Sequence, residues 1–427
     1  MRIEELYKLF VKSGVVSTDT RNITEGCLFF ALKGENFNGN KFAQSAIASG
    51  ASYSVIDEPE FNKSDRTILV NDVLTTLQDL AKHHRSKLSI PVIAVTGSNG
   101  KTTTKELINV VLAKKYNVAY TKGNFNNHIG VPLTLLEINS SHEMALIEMG
   151  DNHPREVELL CEIAQPNYGF VTNVGKDHLE GFGSFENNIL AKKEVFDYLE
   201  IHQGKVFLDK TDELVSGMVV DAIEVISFGV KGADSYIDYV ESNPLVVFKD
   251  EQGNRIESNL FGAFNFSNIQ LAYCIGKYFG VDLKLISEGL SEYQPDNNRS
   301  QVIKTDRNTL IMDAYNANPS SVEEAMKSFA DMKTDKPKWL ILGDMFELGS
   351  YAEEEHQNMA TLASSNRFDE VVLIGENYGR TQGIKNATIF QQKSEAEVYI
   401  KKIAPEGAII LLKGSRGMRL ESLKPIL

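Results

Sequence analysis

Cysteine is scarce in this chain. Its 427 residues include three, Cys27, Cys161 and Cys274, far apart and never in a C-x-x-C pair. That argues against a disulfide framework and a zinc knuckle, and it fits a reducing compartment. Long apolar runs are missing as well, since no stretch approaches the ~18 consecutive apolar residues of a membrane-spanning helix. Met1 to Phe10 mixes Arg2, Glu4, Glu5 and Lys8 with apolar residues and does not read as a signal peptide. Positive charge is in deficit: 44 Lys and Arg stand against 58 Asp and Glu, a net charge of -14. Such a balance disfavours general binding to nucleic acid or anionic membranes, while leaving room for local phosphate sites. What remains is ordinary, with 42% hydrophobic and 24% charged residues. That composition excludes a disordered, collagen-like or coiled-coil chain. At about 150 residues per domain the length predicts about three domains, in a cytoplasmic protein.

The texture changes twice along the chain. Residues 1–89 carry short strand patterns at Cys27 to Leu32 and Ser52 to Ile56, with a helical pattern at Phe42 to Ser49 between them, and predict a small α/β domain. Residues 90–296 alternate strands (Ile93 to Val95, Val118 to Thr121, Ala145 to Met149, Gly169 to Asn173) with helical patterns, predicting a parallel sheet covered on both faces. Glu224 to Phe228 and Leu245 to Phe248 read as antiparallel excursions, and Asn265 to Phe279 as a closing helix. Residues 297–427 form a second alternating series, with strands at Thr309 to Met312, Trp339 to Leu342, Glu370 to Ile374 and Ala408 to Leu412, and predict a Rossmann-like doubly wound domain. The turn-rich Gln294 to Asn298 is the linker candidate.

The strongest local signal is Thr96-Gly97-Ser98-Asn99-Gly100-Lys101-Thr102-Thr103-Thr104, between a strand and a helix. Backbone N–H groups there, backed by the helix N-terminus, form a site for phosphate oxygens. Lys101 would reach the β- and γ-phosphates and the Thr102 hydroxyl a magnesium ion. Val95 stands where the usual loop has its first glycine, so the bland alternative is a glycine turn with a solvated lysine. Glu148 ends an apolar strand, where a carboxylate can hold magnesium or simply face solvent. His178 follows the next strand and falls in the same crevice. Lys192 reads as a helix-surface lysine. Asn124 to Asn127 form a polar loop with donors and acceptors for a polar ligand, or a turn with left-handed asparagines. Asn265 and Asn268 either read an adenine edge or cap a helix. Asp313 follows the first strand of the last domain, where an acid can bond a ribose hydroxyl.

In order and spacing, these motifs resemble the Mur ligase family of ATP-dependent amide-bond-forming enzymes. Thr96 to Thr104 is similar to the family's T-G-[ST]-x-G-K-T-[ST], and Asn124 to Pro132 to its N-x-N-N-x-x-G-x-P. His178-Leu179-Glu180, Asn265 with Asn268, and Asp313 to Pro319 resemble its H-[LM]-[DE], N-x-x-N and D-x-Y-x-x-N-P. Leu342 to Gly349 with His356, Lys413 to Arg419, and Asp19-Thr20-Arg21 with Phe29 to Gly34 resemble the member that adds D-alanyl-D-alanine. The chain departs from the pattern at Asn38 and Asn40, where the family often has Asp and His, and at His128, where an acid is common.

The resemblance implies a monomeric peptidoglycan-precursor ligase serving cell shape and division. Its substrates would be ATP with magnesium, UDP-N-acetylmuramoyl-tripeptide and D-alanyl-D-alanine, joined through an acyl phosphate. It implies ATP contacts from Gly97, Ser98, Asn99, Gly100, Lys101, Thr102, Thr103, Asn265, Asn268, Arg299 and Asp313. Thr102 and Glu148 would hold one ion, and His178 and Lys192 a second, with Lys192 in a position that is often carbamylated in the family. Lys101, Glu148, His178 and Lys192 would be the catalytic set. Asp19, Thr20, Arg21, Lys33 and Gly34 would bind the UDP end, and Asn124, Asn126 and Asn127 the substrate near its carboxylate. Closure about Gln294 to Asn298 would bring the domains together. Other readings are a sister ligase of the diamino-acid-adding or folylpolyglutamate type, or a phosphate-loop ATPase or binding module without an acceptor.

Overall fold

The computed structural model describes all 427 residues. The N-terminal part builds a four-stranded parallel sheet in the order Val16–Ser17, Leu28–Phe30, Tyr53–Ile56, Thr67–Leu69. Ile3–Ser13 covers it with Leu6 and Phe10 and stops at Gly14, whose φ of 71° few other residues tolerate. Val73–Arg85 starts at Asp72, whose carboxylate accepts from Thr75 N–H at 2.7 Å. Its apolar face, Leu77, Leu80 and Ala81, joins one continuous core with Val92, Ala94, Ala145 and Ile147 of the next sheet. The first segment is therefore packed onto the second and not strung from it.

Two polar side chains pin that junction. Buried Arg85 donates to the carbonyls of Ala164, Leu88 and Gln165 at 2.8–2.9 Å. His84 Nε2 donates to Ile138 O at 2.8 Å, which leaves Nδ1 to accept from Tyr7 OH at 3.2 Å. The bond from Tyr7 needs the neutral ring, since a protonated Nδ1 cannot accept, and burial lowers the pKa of His84 below its ordinary 6.5 against the pull of the Ile138 carbonyl. A histidine depressed in the fold lends stability that is present above its unfolded pKa and is lost as pH falls through the folded one. Melting temperature is expected to fall below about pH 6.5, and His84→Gln to remove part of that slope. Equal slopes in parent and variant would oppose it.

The central sheet has six parallel strands in the order Glu224–Phe228, Lys205–Asp209, Tyr168–Val171, Val92–Thr96, Met144–Glu148, Val118–Tyr120. Its middle strands are buried throughout, as apolar runs between two helical layers must be. Here the sequence expectation fails at Glu224–Phe228, which pairs parallel with Lys205–Asp209. The intervening segment, with the short helix Glu213–Ser216, carries the chain back to the starting end, so the strand extends the sheet instead of turning back on it. Leu245–Lys249 is antiparallel as expected, between Asp238–Ser242 and Arg255–Phe261.

The third sheet is joined to that meander through one residue pair, Leu260 with Gln301. Gln301–Lys304 runs antiparallel to Thr309–Asp313. Five parallel strands then follow in the order Thr309–Asp313, Ile409–Lys413, Lys338–Gly343, Glu370–Ile374, Thr388–Phe390. Helices Pro319–Asp331 and Ala352–Ser365 cover one face and Lys393–Ile403 the other, giving two separate cores. The connection Gln294 to Asn298 is held by the helix of the phosphate loop: Tyr293 OH and Asn297 Nδ2 donate to Glu106. No helix is long and apolar enough to cross a membrane.

Candidate active site

The carboxyl ends of the central strands face the third domain across a cleft of about 1200 Å³. A topological switch in an open parallel sheet leaves such a crevice. Its floor is the turn between Val92–Thr96 and helix Lys101–Leu112. Gly97 has φ 131°, and a Cβ there would lie 2.1 Å from Thr172 Oγ1. Gly100 has φ 81° and closes on the Asn268 side chain. Only glycine keeps both the loop and its neighbours in place. The next strand's end braces the turn: Ser98 N–H and Asn99 N–H donate to Asn173, and Thr172 Oγ1 donates to Asn99 O. The first backbone N–H groups of the helix remain free for an anion.

Lys101 Nζ folds back onto the carbonyls of Gly97 and Ser98. It has no ion-pair partner. Burial, and then the Lys192 charge, push its pKa below the ordinary lysine range, against the pull of Asp177, Asp151 and Glu148. The Thr102 hydroxyl donates to Glu148 Oε1 at 3.1 Å, as does Asn126 Nδ2 at 2.9 Å. Glu148 Oε2 is buried and accepts no hydrogen bond, although Lys105 Nζ lies 3.3 Å away. A buried carboxylate oxygen left open beside a phosphate loop is a fit for a hard cation.

Lys192 is completely buried, and its ammonium donates to both Asp151 oxygens at 2.8 Å, with Asp177 Oδ2 at 3.7 Å. Burial alone would raise Asp177, but Lys192 and Lys101 hold it below its ordinary range. His178 stands at φ 47° beside it, with Nδ1 2.5 Å from Glu347 Oε2 of the third domain.

Across the cleft, the Arg299 guanidinium lies 3.8 Å from the Tyr315 ring centre and that of Arg416 5.2 Å from it. Arg299 Nε is buried without a partner. Asp313 bonds Lys413 Nζ at 2.6 Å and accepts from Ser300 N–H at 3.0 Å. Asn318 Nδ2 donates to Asn99 Oδ1 at 2.9 Å, so the third domain touches the phosphate loop.

The cleft thus gathers Ser98 to Thr103, Asn124, Asn126, Asn127, Glu148, His178, Asn265, Asn268, Arg299 and Asp313 on its walls. Gly97 lies beneath them. Lys192 lies behind the wall, tied to Asp151. Asn265 and Asn268 are neither helix caps nor free amides. Asn265 Nδ2 donates to Phe261 O and Ser300 Oγ, its Oδ1 accepts from Asn268, and Asn268 Oδ1 accepts from Thr104. They tie their helix to the phosphate loop and to the connection between domains.

Asp19, Thr20, Arg21, Lys33 and Gly34 do not line this cleft. Asp19 caps the short turn Thr20–Asn22 and grips Arg21, which lowers its pKa to about 2. Lys33 pairs with Asp57 at 3.1 Å. His356 is fully buried, accepting from Met345 N–H and donating to Ala352 O, so it holds the loop after Lys338–Gly343. Sequence reasoning missed Lys105, Asp151 and Asp177. Lys105, on the same helix face as Lys101 and otherwise apolar surroundings, carried a readable signal; the two aspartates carried none.

Three family models match the chain: "Mur ligase family, catalytic domain" over residues 14–85, "Mur ligase middle domain" over 95–276, and "Mur ligase, glutamate ligase domain" over 298–416. The chain is 34% identical to a Bacillus subtilis protein named UDP-N-acetylmuramoyl-tripeptide–D-alanyl-D-alanine ligase, over 96% of this chain and 92% of the relative. It is 32% identical to the Escherichia coli protein of the same name, over 98% and 94%. Among solved structures it is similar to MurF from Acinetobacter baumannii, with a TM-score of 0.88 and 29% identity over 96% of this chain and 92% of that one. It is also similar to the Thermotoga maritima MurF ligase in complex with ADP, with a TM-score of 0.85 and 25% identity over 98% and 97%.

Proposed function

The chain belongs to the Mur ligase family, and from that premise we propose that it joins D-alanyl-D-alanine to UDP-N-acetylmuramoyl-tripeptide at the expense of ATP, a step of peptidoglycan precursor synthesis. The observation that best supports this is the meeting of a phosphate loop, a buried open carboxylate and a third-domain arginine–tyrosine wall on one cleft. In this reading residues 1–89 take the UDP end, 90–296 bind ATP, and 297–427 close over the nucleotide and the dipeptide. One chain completes the cleft, which supports a monomer as the working unit. The substrates place its action in the cytoplasm.

A carboxylate is a poor electrophile, and the reaction must first convert it to an acyl phosphate. The tripeptide's terminal carboxylate attacks the γ-phosphorus and ADP leaves. The amine of D-alanyl-D-alanine then attacks the activated carbonyl, and phosphate leaves. This chain's part is positioning and charge neutralisation. The N–H groups of Gly100 to Thr103 and the Lys101 ammonium hold the transferring phosphates. Arg299, over the Tyr315 ring with an unpartnered Nε, meets a further phosphate oxygen. Asp313 offers its carboxylate to the ribose beside Lys413. Asn124 and Asn127 face the tripeptide end, and Asn126 fixes Glu148. Arg21 and Lys33 would take the UDP pyrophosphate, a reading supported by their exposed cationic side chains beside Thr20 and Gly34. Asn265 and Asn268 act as braces of the nucleotide site.

Magnesium fits beside Thr102 and Glu148, where Oε2 lacks a hydrogen bond. When bound there, the ion would offset the phosphate charge. His178 also fits a cation: Glu347 orients its ring through Nδ1 and leaves Nε2 free. Lys192 would supply oxygen to a second cation only as its carbamate; as an ammonium it donates to both Asp151 oxygens.

Phosphate release is expected only when ATP, UDP-N-acetylmuramoyl-tripeptide and D-alanyl-D-alanine are all present. Release indifferent to the last two would favour a phosphate-loop ATPase. Dependence on a diamino acid or a glutamate instead would favour a sister ligase.

A further inference from the structure

The third domain carries a cation beside the cleft that the nucleotide does not claim. Tyr315, on the cleft wall, has two guanidinium groups about its ring, Arg299 at 3.8 Å and Arg416 at 5.2 Å from the ring centre. Lys413 is committed to Asp313 at 2.6 Å, whereas neither arginine has a carboxylate within ion-pair distance. Arg299, with its buried and unpartnered Nε, serves the phosphates in the reading above. Arg416 is exposed, on the short turn Arg416–Met418 after strand Ile409–Lys413. An apolar ring stands against that turn. A Cβ on Gly417 would lie 2.5 Å from Phe346 Cε2, so glycine is what lets the ring close on it. Phe346 N–H donates to Ser415 Oγ at 2.8 Å, and Ser415 N–H to Asp344 O at 3.1 Å. These bonds tie the loop after Lys338–Gly343 to the turn, yet the Phe346 ring stays 44% exposed. The same loop reaches the central domain through Glu347 and His178.

We propose that Arg416 binds the terminal carboxylate of D-alanyl-D-alanine, with Phe346 against its methyl groups, and so sets the specificity for the acceptor. The inference deepens the ligase reading and rests on it. An unpaired guanidinium beside an exposed apolar ring suits a short ligand that carries one carboxylate and small apolar side chains. The fork of N–H donors matches a carboxylate in two parallel bonds, which fixes direction as well as affinity. Reach agrees with this. Measured to one ring centre, at 3.8 and 5.2 Å, the two guanidinium carbons are at most about 9 Å apart. Two extended residues span about 7 Å. A dipeptide held at Arg416 by its carboxylate therefore carries its amine back toward the phosphate at Arg299, and a single amino acid covers half that interval. Each anion that meets the third domain then has its own arginine. A dipeptide ending in an amide would leave the Arg416 fork without its anion, which is how a polar site rejects an analogue.

The test follows phosphate release by the full chain with ATP, magnesium and UDP-N-acetylmuramoyl-tripeptide. The acceptor is D-alanyl-D-alanine or its C-terminal amide. For the parent, KM is expected to be about 10–100-fold higher for the amide, the size of a lost charge-assisted contact. Arg416→Ala is expected to raise the KM for D-alanyl-D-alanine by about the same factor, to leave the KM for the amide in place, and to change kcat little. Arg416→Lys keeps the charge without the fork and is expected to fall between parent and alanine variant. Calorimetric ADP binding by both variants is expected to match the parent, which separates a carboxylate site from a phosphate site and from a damaged fold. A parent that ignores amidation would overturn the proposal. So would an alanine variant that discriminates as the parent does, or one whose ADP affinity falls together with its acceptor KM. Failure of the ligase reading looks different. Phosphate release by the parent is then the same at every dipeptide concentration, and the proposal falls with that reading.

Discussion

Replacing Lys101 by alanine is expected to lower the rate of ADP formation by about 10²–10³-fold while leaving the fold intact. That size is what one preorganised charge donor contributes where transition-state charge develops in a water-poor site. Lys101 is suited to the role by what it does not do. It holds no carboxylate in an ion pair, and its ammonium rests on the carbonyls of its own loop. Its burial and the nearby Lys192 charge make an anion in the cleft the natural partner. Removing it leaves no buried acid unpaired, so the melting temperature should hardly move. Lys101→Arg should recover little, because a planar fork does not replace a compact point charge in a loop this tight. ADP affinity should fall less than the rate, since the ground-state phosphates keep the N–H groups of Gly100 to Thr103. Steady-state phosphate release with calorimetric ADP binding checks both. A variant within about tenfold of the parent rate would remove Lys101 from the chemistry.

What could be read from sequence was local. The phosphate turn is a strand, two glycines, a lysine and a threonine within a dozen residues, and each has a conformational reason visible in the string. Strand existence was legible for the same reason, because apolar runs between turns declare themselves. Direction was not. Glu224–Phe228 reads the same whether parallel or antiparallel, and only the route of the preceding segment decides. The change of texture near residue 90 does not reveal that Leu77 and Ala94 share one core. Side chains that act through distant partners were the least legible. Lys192 and Asp151 lie 41 residues apart, and nothing near either predicts the pair. Asn265 and Asn268 sat in a helix-opening motif that suggests a cap or a ligand contact, and the fold uses them as ties between Thr104 and Ser300.

Glu148→Gln is expected to destabilise the protein by about 3–5 kcal/mol and to abolish magnesium-dependent ligation. The stability effect comes from Lys105. Its side chain is 1% exposed, and its ammonium lies 3.3 Å from Glu148 Oε2 with no other carboxylate within ion-pair distance. An amide at residue 148 can still accept from Thr102 and Asn126, but it turns a donor or a neutral oxygen toward a buried cation. The cost of that unpaired charge is the quoted range for breaking a buried pair by removing one partner. Lys105→Met removes the cation while keeping the length of the stem. The double variant, Glu148→Gln with Lys105→Met, should therefore recover most of the stability and none of the activity. Denaturant melts of the four proteins form a cycle whose coupling energy isolates the pair. Magnesium adds a second discrimination. Lys105→Met alone leaves Glu148 as an uncompensated buried anion, so magnesium with ADP should stabilise this variant more than the parent. If Glu148→Gln instead melts with the parent, Lys105 has another partner in solution and the open Oε2 is not a cation's place. If the double variant regains activity, Glu148 serves only to neutralise Lys105, and the metal must be held elsewhere.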